Sequence, residues 1–181
     1  MNIWLFAGYA GSGKTTAATC FQSHIPHSRM TAFAKRVKDD VAKEYGINRS
    51  MMETQEGKAS RIPGCDKTVR DCLIEYSANH KVSTNDPGIW ARYVKEEIEQ
   101  NPTVANWIIH DWRYFAEYST IRAILNAKVH TVRVVKSSVK PSESPSEHEL
   151  DCVETDYVIQ NNVSLQELDD MVKHIIESNR T

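Results

Sequence analysis

Cysteine is scarce and unpaired in this sequence. Its four copies, Cys20, Cys65, Cys72 and Cys152, stand far apart, with no C-x-x-C and no paired histidine. That spacing predicts no zinc site and points to free thiols in a reducing cytoplasm. Long apolar runs are missing as well. No stretch approaches the roughly 20 residues of a membrane-spanning helix, so no membrane partner is expected. Residues 1–7 carry no basic segment, which gives no sign of a secretory leader. Positive charge is not in excess: 22 Lys and Arg against 24 Asp and Glu leave a net charge of −2. A broad, non-specific nucleic-acid surface is disfavoured by that balance, whereas a local basic cleft is not. The guanine-recognition signal N-K-x-D is absent, which argues against a switch GTPase. At 181 residues, 40% hydrophobic and 25% charged, the composition fits one globular domain, 1–181.

What is present is concentrated near the start. Gly8-Tyr9-Ala10-Gly11-Ser12-Gly13-Lys14-Thr15 spells G-x-x-x-x-G-K-T. An apolar run at 3–7 precedes it and reads as a buried strand; residues 15–20 read as the start of a helix. That strand–loop–helix setting is what a phosphate-binding loop requires. Gly8, Ala10, Gly11, Ser12 and Gly13 are expected to wrap the phosphates of ATP with backbone N–H groups at the positive end of a helix, with Thr16 following in its first turn. Lys14 would reach the β- and γ-phosphates, and the Thr15 hydroxyl would ligate Mg²⁺.

Further along, residues 29–33 read as a second strand. Ala34, Val37, Val41, Ala42 and Tyr45 recur at helical spacing, and Gly46 stands where a glycine ends a helix. Residues 47–67 are polar and read as irregular. Amphipathic helices are predicted over 68–80 and 89–100, a strand over 107–111, a helix over 115–126 and a strand over 129–135. Residues 136–150, rich in Ser, Pro and Glu, predict a mobile loop. A strand over 157–160 and a helix over 165–177 close the chain. Alternating strands and helices imply an α/β fold with a parallel sheet covered on both faces, whose ligands bind beyond the carboxyl ends of the strands.

Asp111 ends an apolar run, the pattern of an acid that holds Mg²⁺ beside Thr15; a strand-end cap is its other reading. Arg113 follows in the loop facing the same edge, where it would clamp an acceptor phosphate or form a surface salt bridge with Glu117. Some seventy residues between the second and third strands carry Lys35, Arg36, Lys58, Arg61, Arg70 and Arg92. A small kinase with a helical insert over a second substrate accounts for that arrangement.

The order of motifs resembles the deoxynucleoside monophosphate kinases of tailed phages along most of the chain. The segments that carry the likeness are the phosphate loop, Ala32-Phe33-Ala34-Lys35-Arg36-Val37-Lys38, Thr54-Gln55-Glu56-Gly57-Lys58, Thr68-Val69-Arg70 and Asn85-Asp86-Pro87-Gly88-Ile89-Trp90-Ala91-Arg92. They continue through His110-Asp111-Trp112-Arg113-Tyr114 with Glu117, then Ser146-Glu147 and residues 156–161. The resemblance implies a three-layer P-loop kinase fold of about five parallel strands, with core 1–33 and 103–181, a helical acceptor-binding insert 34–102 and a lid 136–150. It implies transfer from ATP, with Mg²⁺, to a deoxynucleoside monophosphate in the cytoplasm by a homodimer. Lys14, Arg113, Asp111 and Arg70 would be catalytic. Arg70, Arg92 and Arg113 would hold the acceptor phosphate with Lys35 and Arg36, and Trp90 would stack on the base or pack in the core.

Two departures bear on the acceptor. Residues 73–80 differ from the family's pattern, and segment 136–150 has Lys136 and Lys140 but no arginine. Related phage kinases phosphorylate 5-hydroxymethyluracil within DNA. A hydroxyl acceptor of that kind needs a carboxylate base, for which Asp39 or Asp66 are the candidates. A non-catalytic ATP-binding module is the third reading.

Overall fold

The computed structural model describes residues 1–143 and 145–179. Residue 144 and the side chain of Ser146, both in the expected lid, lie outside the described residues, as do residues 180–181 of the expected core. Strands β1 (Asn2–Ala7), β2 (Ser28–Thr31), β3 (Asn106–Ile109), β4 (Lys128–Val135) and β5 (Tyr157–Gln160) form one parallel five-stranded sheet, in the order β2-β3-β1-β4-β5.

The central strand shows why the sheet has two buried faces. Successive side chains of a strand point to opposite sides. Trp4 and Phe6 therefore meet α1 (Lys14–His24) and α8 (Leu165–Ser178) through Phe21, Leu168 and Val172. Ile3, Leu5 and Ala7 meet α5 (Ile89–Glu99) and α6 (Phe115–Arg122) through Val94, Ile98 and Ile121. This is the three-layer α/β fold expected from the sequence. Among the described residues no helix is long and apolar enough to cross a membrane.

Between β2 and β3 the chain is helical: α2 (Ala34–Tyr45), a 3₁₀ turn (Arg49–Met52), α3 (Gln55–Ala59), α4 (Val69–Ser83) and α5. It has a core of its own, including Val37, Val41, Met52, Val69, Cys72 and Trp90. Helix α5 serves both bodies, since Trp90 packs there while Ala91, Val94 and Ile98 pack on the sheet.

Several boundaries differ from the expected ones, each for a visible reason. Strand β2 stops at Thr31 because the Phe33 and Ala34 N–H groups turn to Asp111 and open α2. Strand β3 ends at Ile109, so Asp111 lies in the loop beyond it. Residues 47–67 are not wholly irregular, because Asn48 caps the 3₁₀ turn and Thr54 caps α3 with their side chains. Helix α3 buries no residue, so apolar periodicity could not reveal it. Helix α6 ends at Arg122, ahead of Asn126 in a left-handed conformation. Within 136–150 a short helix, α7 (Pro145–His148), is present.

Candidate active site

The phosphate loop leaves β1 through Gly8 and enters α1 through Gly13, at φ values of 143° and 93° that side chains rarely adopt. A Cβ on Gly8 would overlap the Val134 carbonyl, and one on Gly13 would overlap the Asn161 amide. Asn161, just past the edge strand β5, donates from Nδ2 to the Ser12 carbonyl at 2.8 Å and so fixes the loop from across β4. Helix α1 has no side-chain cap and no acid in its first turn. Its leading N–H groups are thus available to an anion at the positive end of the helix dipole. Ser12 Oγ is buried with no hydrogen-bond partner among the described residues. This cradle fits the phosphates of a nucleotide. Thr15 and Thr16 are exposed and open a groove of about 570 Å³ that runs past Thr19 to Leu165 and Gln166 on α8.

Lys14 is buried and folded back on its own loop, donating from Nζ to Gly8 O at 2.6 Å and Tyr9 O at 2.8 Å. Burial, then the Arg113 guanidinium, pull its ammonium down to about 8, against the attraction of Glu147 and Asp111. Three separate parts of the chain act on that ammonium: Asp111 and Arg113 from the loop after β3, Glu147 from the segment after β4, and Lys58 from α3.

Asp111 accepts from Phe33 N at 2.8 Å through Oδ1 and from Ala34 N at 3.0 Å through Oδ2. It caps the start of α2, which ties the insert to the sheet edge. Its remaining lone pairs are what it has to offer a hydrated cation. The surface salt bridge between Arg113 and Glu117, one of the two expectations for Arg113, is absent among the described residues: from Arg113, Glu117 takes only the backbone N–H. Glu117 is buried and accepts the backbone N–H groups of Arg113 and Tyr114 at 2.8 and 3.0 Å, capping α6. Burial and the nearby Asp111 push its carboxyl up to about 8, against those two N–H groups. The Arg113 guanidinium instead donates from Nη1 to Glu147 at 2.7 Å. Glu147 also accepts from Ala10 N at 2.9 Å.

The insert supplies a second group of cations, and not the full set expected. Lys58, on α3, is half-buried with no ion-pair partner among the described residues. Burial, then Lys38, Arg70 and Arg113, lower its pKa. Arg70 donates to Gln55 Oε1 at 2.5 Å and stays within electrostatic reach of Lys58. The others answer local carboxylates: Lys35 pairs with Glu97 at 2.7 Å, and Arg36 with Asp40 at 2.8 Å while lying over the Tyr93 ring. Arg92 pairs with Asp86, which also accepts the Gly88 N–H ahead of α5.

Trp90 as a stacking platform is corrected outright. Only 4% of it is exposed, and it packs on His80 with ring centroids 4.8 Å apart and beside Tyr76 and Tyr93. It is core, as its apolar surface demands in a helix facing two others. Lys58 joins the cations that act on Lys14 although the sequence pattern does not mark it as a site residue. Its only signal was its place in the Thr54–Lys58 motif, since α3 has no apolar face to announce it.

No protein-family model matches the chain. Among solved structures, it is similar to the unliganded crystal structure of a sugar kinase from Janibacter sp., with a TM-score of 0.51, 15% identity, and coverage of 97% of this chain and 94% of that one. A tunicamycin resistance protein from Deinococcus radiodurans is similar at a TM-score of 0.49 and 12% identity, covering 97% and 95% of the two chains. Shikimate kinase from Aquifex aeolicus follows at 0.47 and 15%, covering 99% and 98%. At these identities the likeness is one of fold.

Proposed function

We propose that this chain is a phosphotransferase that moves the γ-phosphoryl group of ATP onto a deoxynucleoside monophosphate. The reading rests on one convergence: Arg113, tied to the phosphate loop through Glu147 and Ala10, and Lys58, itself within reach of Arg70, both act on Lys14 and lower its hold on its proton. Such repulsion is costly in the free protein and is relieved by polyanionic ligands. Two phosphate-bearing substrates meeting there would supply them.

ATP would lie with its phosphates along residues 8–16. Lys14, released from the Gly8 and Tyr9 carbonyls, would follow the β- and γ-phosphates. Thr15, with Asp111 acting through water, would hold Mg²⁺, which neutralises charge on the phosphates when bound. Arg113, Lys58 and Arg70 would hold the acceptor phosphate in line and stabilise charge as it develops.

The acid side of the cleft favours an acceptor that is already an oxyanion. Asp111 caps α2, Glu117 caps α6, and Glu147 is shared between Ala10 and Arg113. Asp39 pairs with Arg49 at 2.8 Å, and Asp66 is exposed in the turn before α4. None of these is an unengaged base beside Lys14, which weighs against the hydroxyl of 5-hydroxymethyluracil in DNA.

The test is transfer of label from γ-labelled ATP with Mg²⁺, offered deoxynucleoside monophosphates in parallel with DNA containing 5-hydroxymethyluracil. Label on a mononucleotide is expected. Label on the DNA alone would overturn the acceptor. Bound ATP with no transfer to anything would leave a nucleotide-binding module.

A further inference from the structure

Glu147 is the most enclosed acid that reaches the phosphate loop, with 4% of its side chain exposed. Its two oxygens serve donors from distant parts of the chain: Oε2 takes Ala10 N at 2.9 Å and Oε1 takes Arg113 Nη1 at 2.7 Å. The residues after it are pinned on every side. Asp151 accepts from Tyr9 Oη at 2.8 Å, and Glu149 accepts from Phe115 N at 2.9 Å. Arg133 of β4 donates to Leu150 O at 2.5 Å and Val153 O at 2.9 Å. Glu147 is therefore the buried end of a clasp between the phosphate loop, the sheet and the Arg113 loop.

That clasp leaves part of Arg113 unused. Its Nε and Nη2 donate to no group among the described residues, and its side chain is 36% exposed. We propose that Glu147 is a positioning residue: by holding Nη1 against the phosphate loop, it aims the rest of the Arg113 guanidinium at a phosphate bound beside that loop. This rests on Arg113 as an acceptor-phosphate residue, the reading given above. A guanidinium held at one end loses less freedom when it binds, which strengthens binding without new contacts.

Charge makes the sign of the test informative. Removing a carboxylate from a cleft of cations raises its attraction for anions. A loss of phosphate affinity on removing Glu147 must then come from lost orientation. A carboxylate that merely stands in the ligand's place predicts the opposite, a gain.

The experiment measures binding of inorganic phosphate to the full chain loaded with ADP and Mg²⁺, by ³¹P resonance, for wild type, Glu147→Gln, Arg113→Ala and the double variant. Each single change is expected to weaken phosphate by about tenfold, and by more than it weakens ADP, whose loop Glu147 also holds through Ala10. The double variant is expected to be no weaker than Arg113→Ala, because the two side chains act as one unit. Glu147→Asp keeps the charge but draws it back by a methylene; a loss of phosphate affinity is expected there too, and it serves where Glu147→Gln fails to fold. Unchanged or tighter phosphate binding in a folded Glu147 variant, additive effects, or a wild type that binds no phosphate would each overturn the assignment. Phosphate binding needs no turnover, so failure of the kinase reading in the transfer assay is seen separately.

Discussion

The Asn161 side-chain amide fills the space that a side chain at Gly13 would need, and the same amide holds the Ser12 carbonyl at 2.8 Å. Strand β5 thus fixes the loop that opens α1, and a methyl group there meets both a clash and a φ of 93°. Gly13→Ala is expected to lower stability by roughly 1–3 kcal/mol and to remove most ATP affinity. Gly46 has a φ of 62° with nothing near its missing Cβ. Gly46→Ala should therefore cost only about 1 kcal/mol and leave ATP binding intact. Thermal denaturation and ATP titration of both variants check the contrast; equal losses would mean that the Asn161 contact contributes nothing.

ATP affinity should fall as pH rises through about 8, the value to which burial and Arg113 pull Lys14. Phosphates favour the charged ammonium, so the bound form has the higher pKa and binding takes up a proton above that pH. Affinity is then level below about 8 and drops by at most about tenfold per pH unit above it. Lys14→Arg, charged throughout, should flatten the profile. Calorimetry in two buffers of different ionisation enthalpy reports the proton directly; no uptake at pH 9 would contradict the shift.

Lys58→Ala should weaken acceptor binding by about tenfold, as loss of a charge-assisted contact does. It carries a second signature. Lys58 repels Lys14, so its removal should move the break in the pH profile of ATP affinity upward. An unmoved break would put Lys58 out of reach of Lys14, and unchanged acceptor binding would remove it from the acceptor site.

How much of this was legible in the sequence depended on the distance over which each feature is decided. The phosphate loop, the α2 stripe of Val37 and Val41, and Gly46 are local patterns, and each was readable from its neighbours. Asp111 was readable as an acid just past a strand, but its partners were not, because Phe33 and Ala34 lie 78 and 77 positions away and meet it only once β2 lies beside β3. Glu147 meets Ala10 across 137 positions, and nothing near either residue signals the contact. Trp90 misled for another reason. A large aromatic beside a turn suits a base and a core equally, and only the packing of α4 against α5 decides between them.

Glu117 supplies a stability test that needs no substrate. Its carboxyl is pushed from an ordinary 4.5 up to about 8 by burial and Asp111. The folded chain then binds that proton more readily than the unfolded one. The contribution is complete below about pH 4.5 and is lost as pH rises from there through about 8, by at most about 1.4 kcal/mol per unit. Both backbone N–H groups that Glu117 accepts go to Oε2, so a glutamine oxygen can take them unchanged. Glu117→Gln is expected to keep the fold and to melt higher than wild type at pH 9, with little difference at pH 5. Melting curves across that range decide it. A variant that loses more at pH 9 than at pH 5 would mean the charged carboxylate is stabilising, and that the Arg113 loop depends on it.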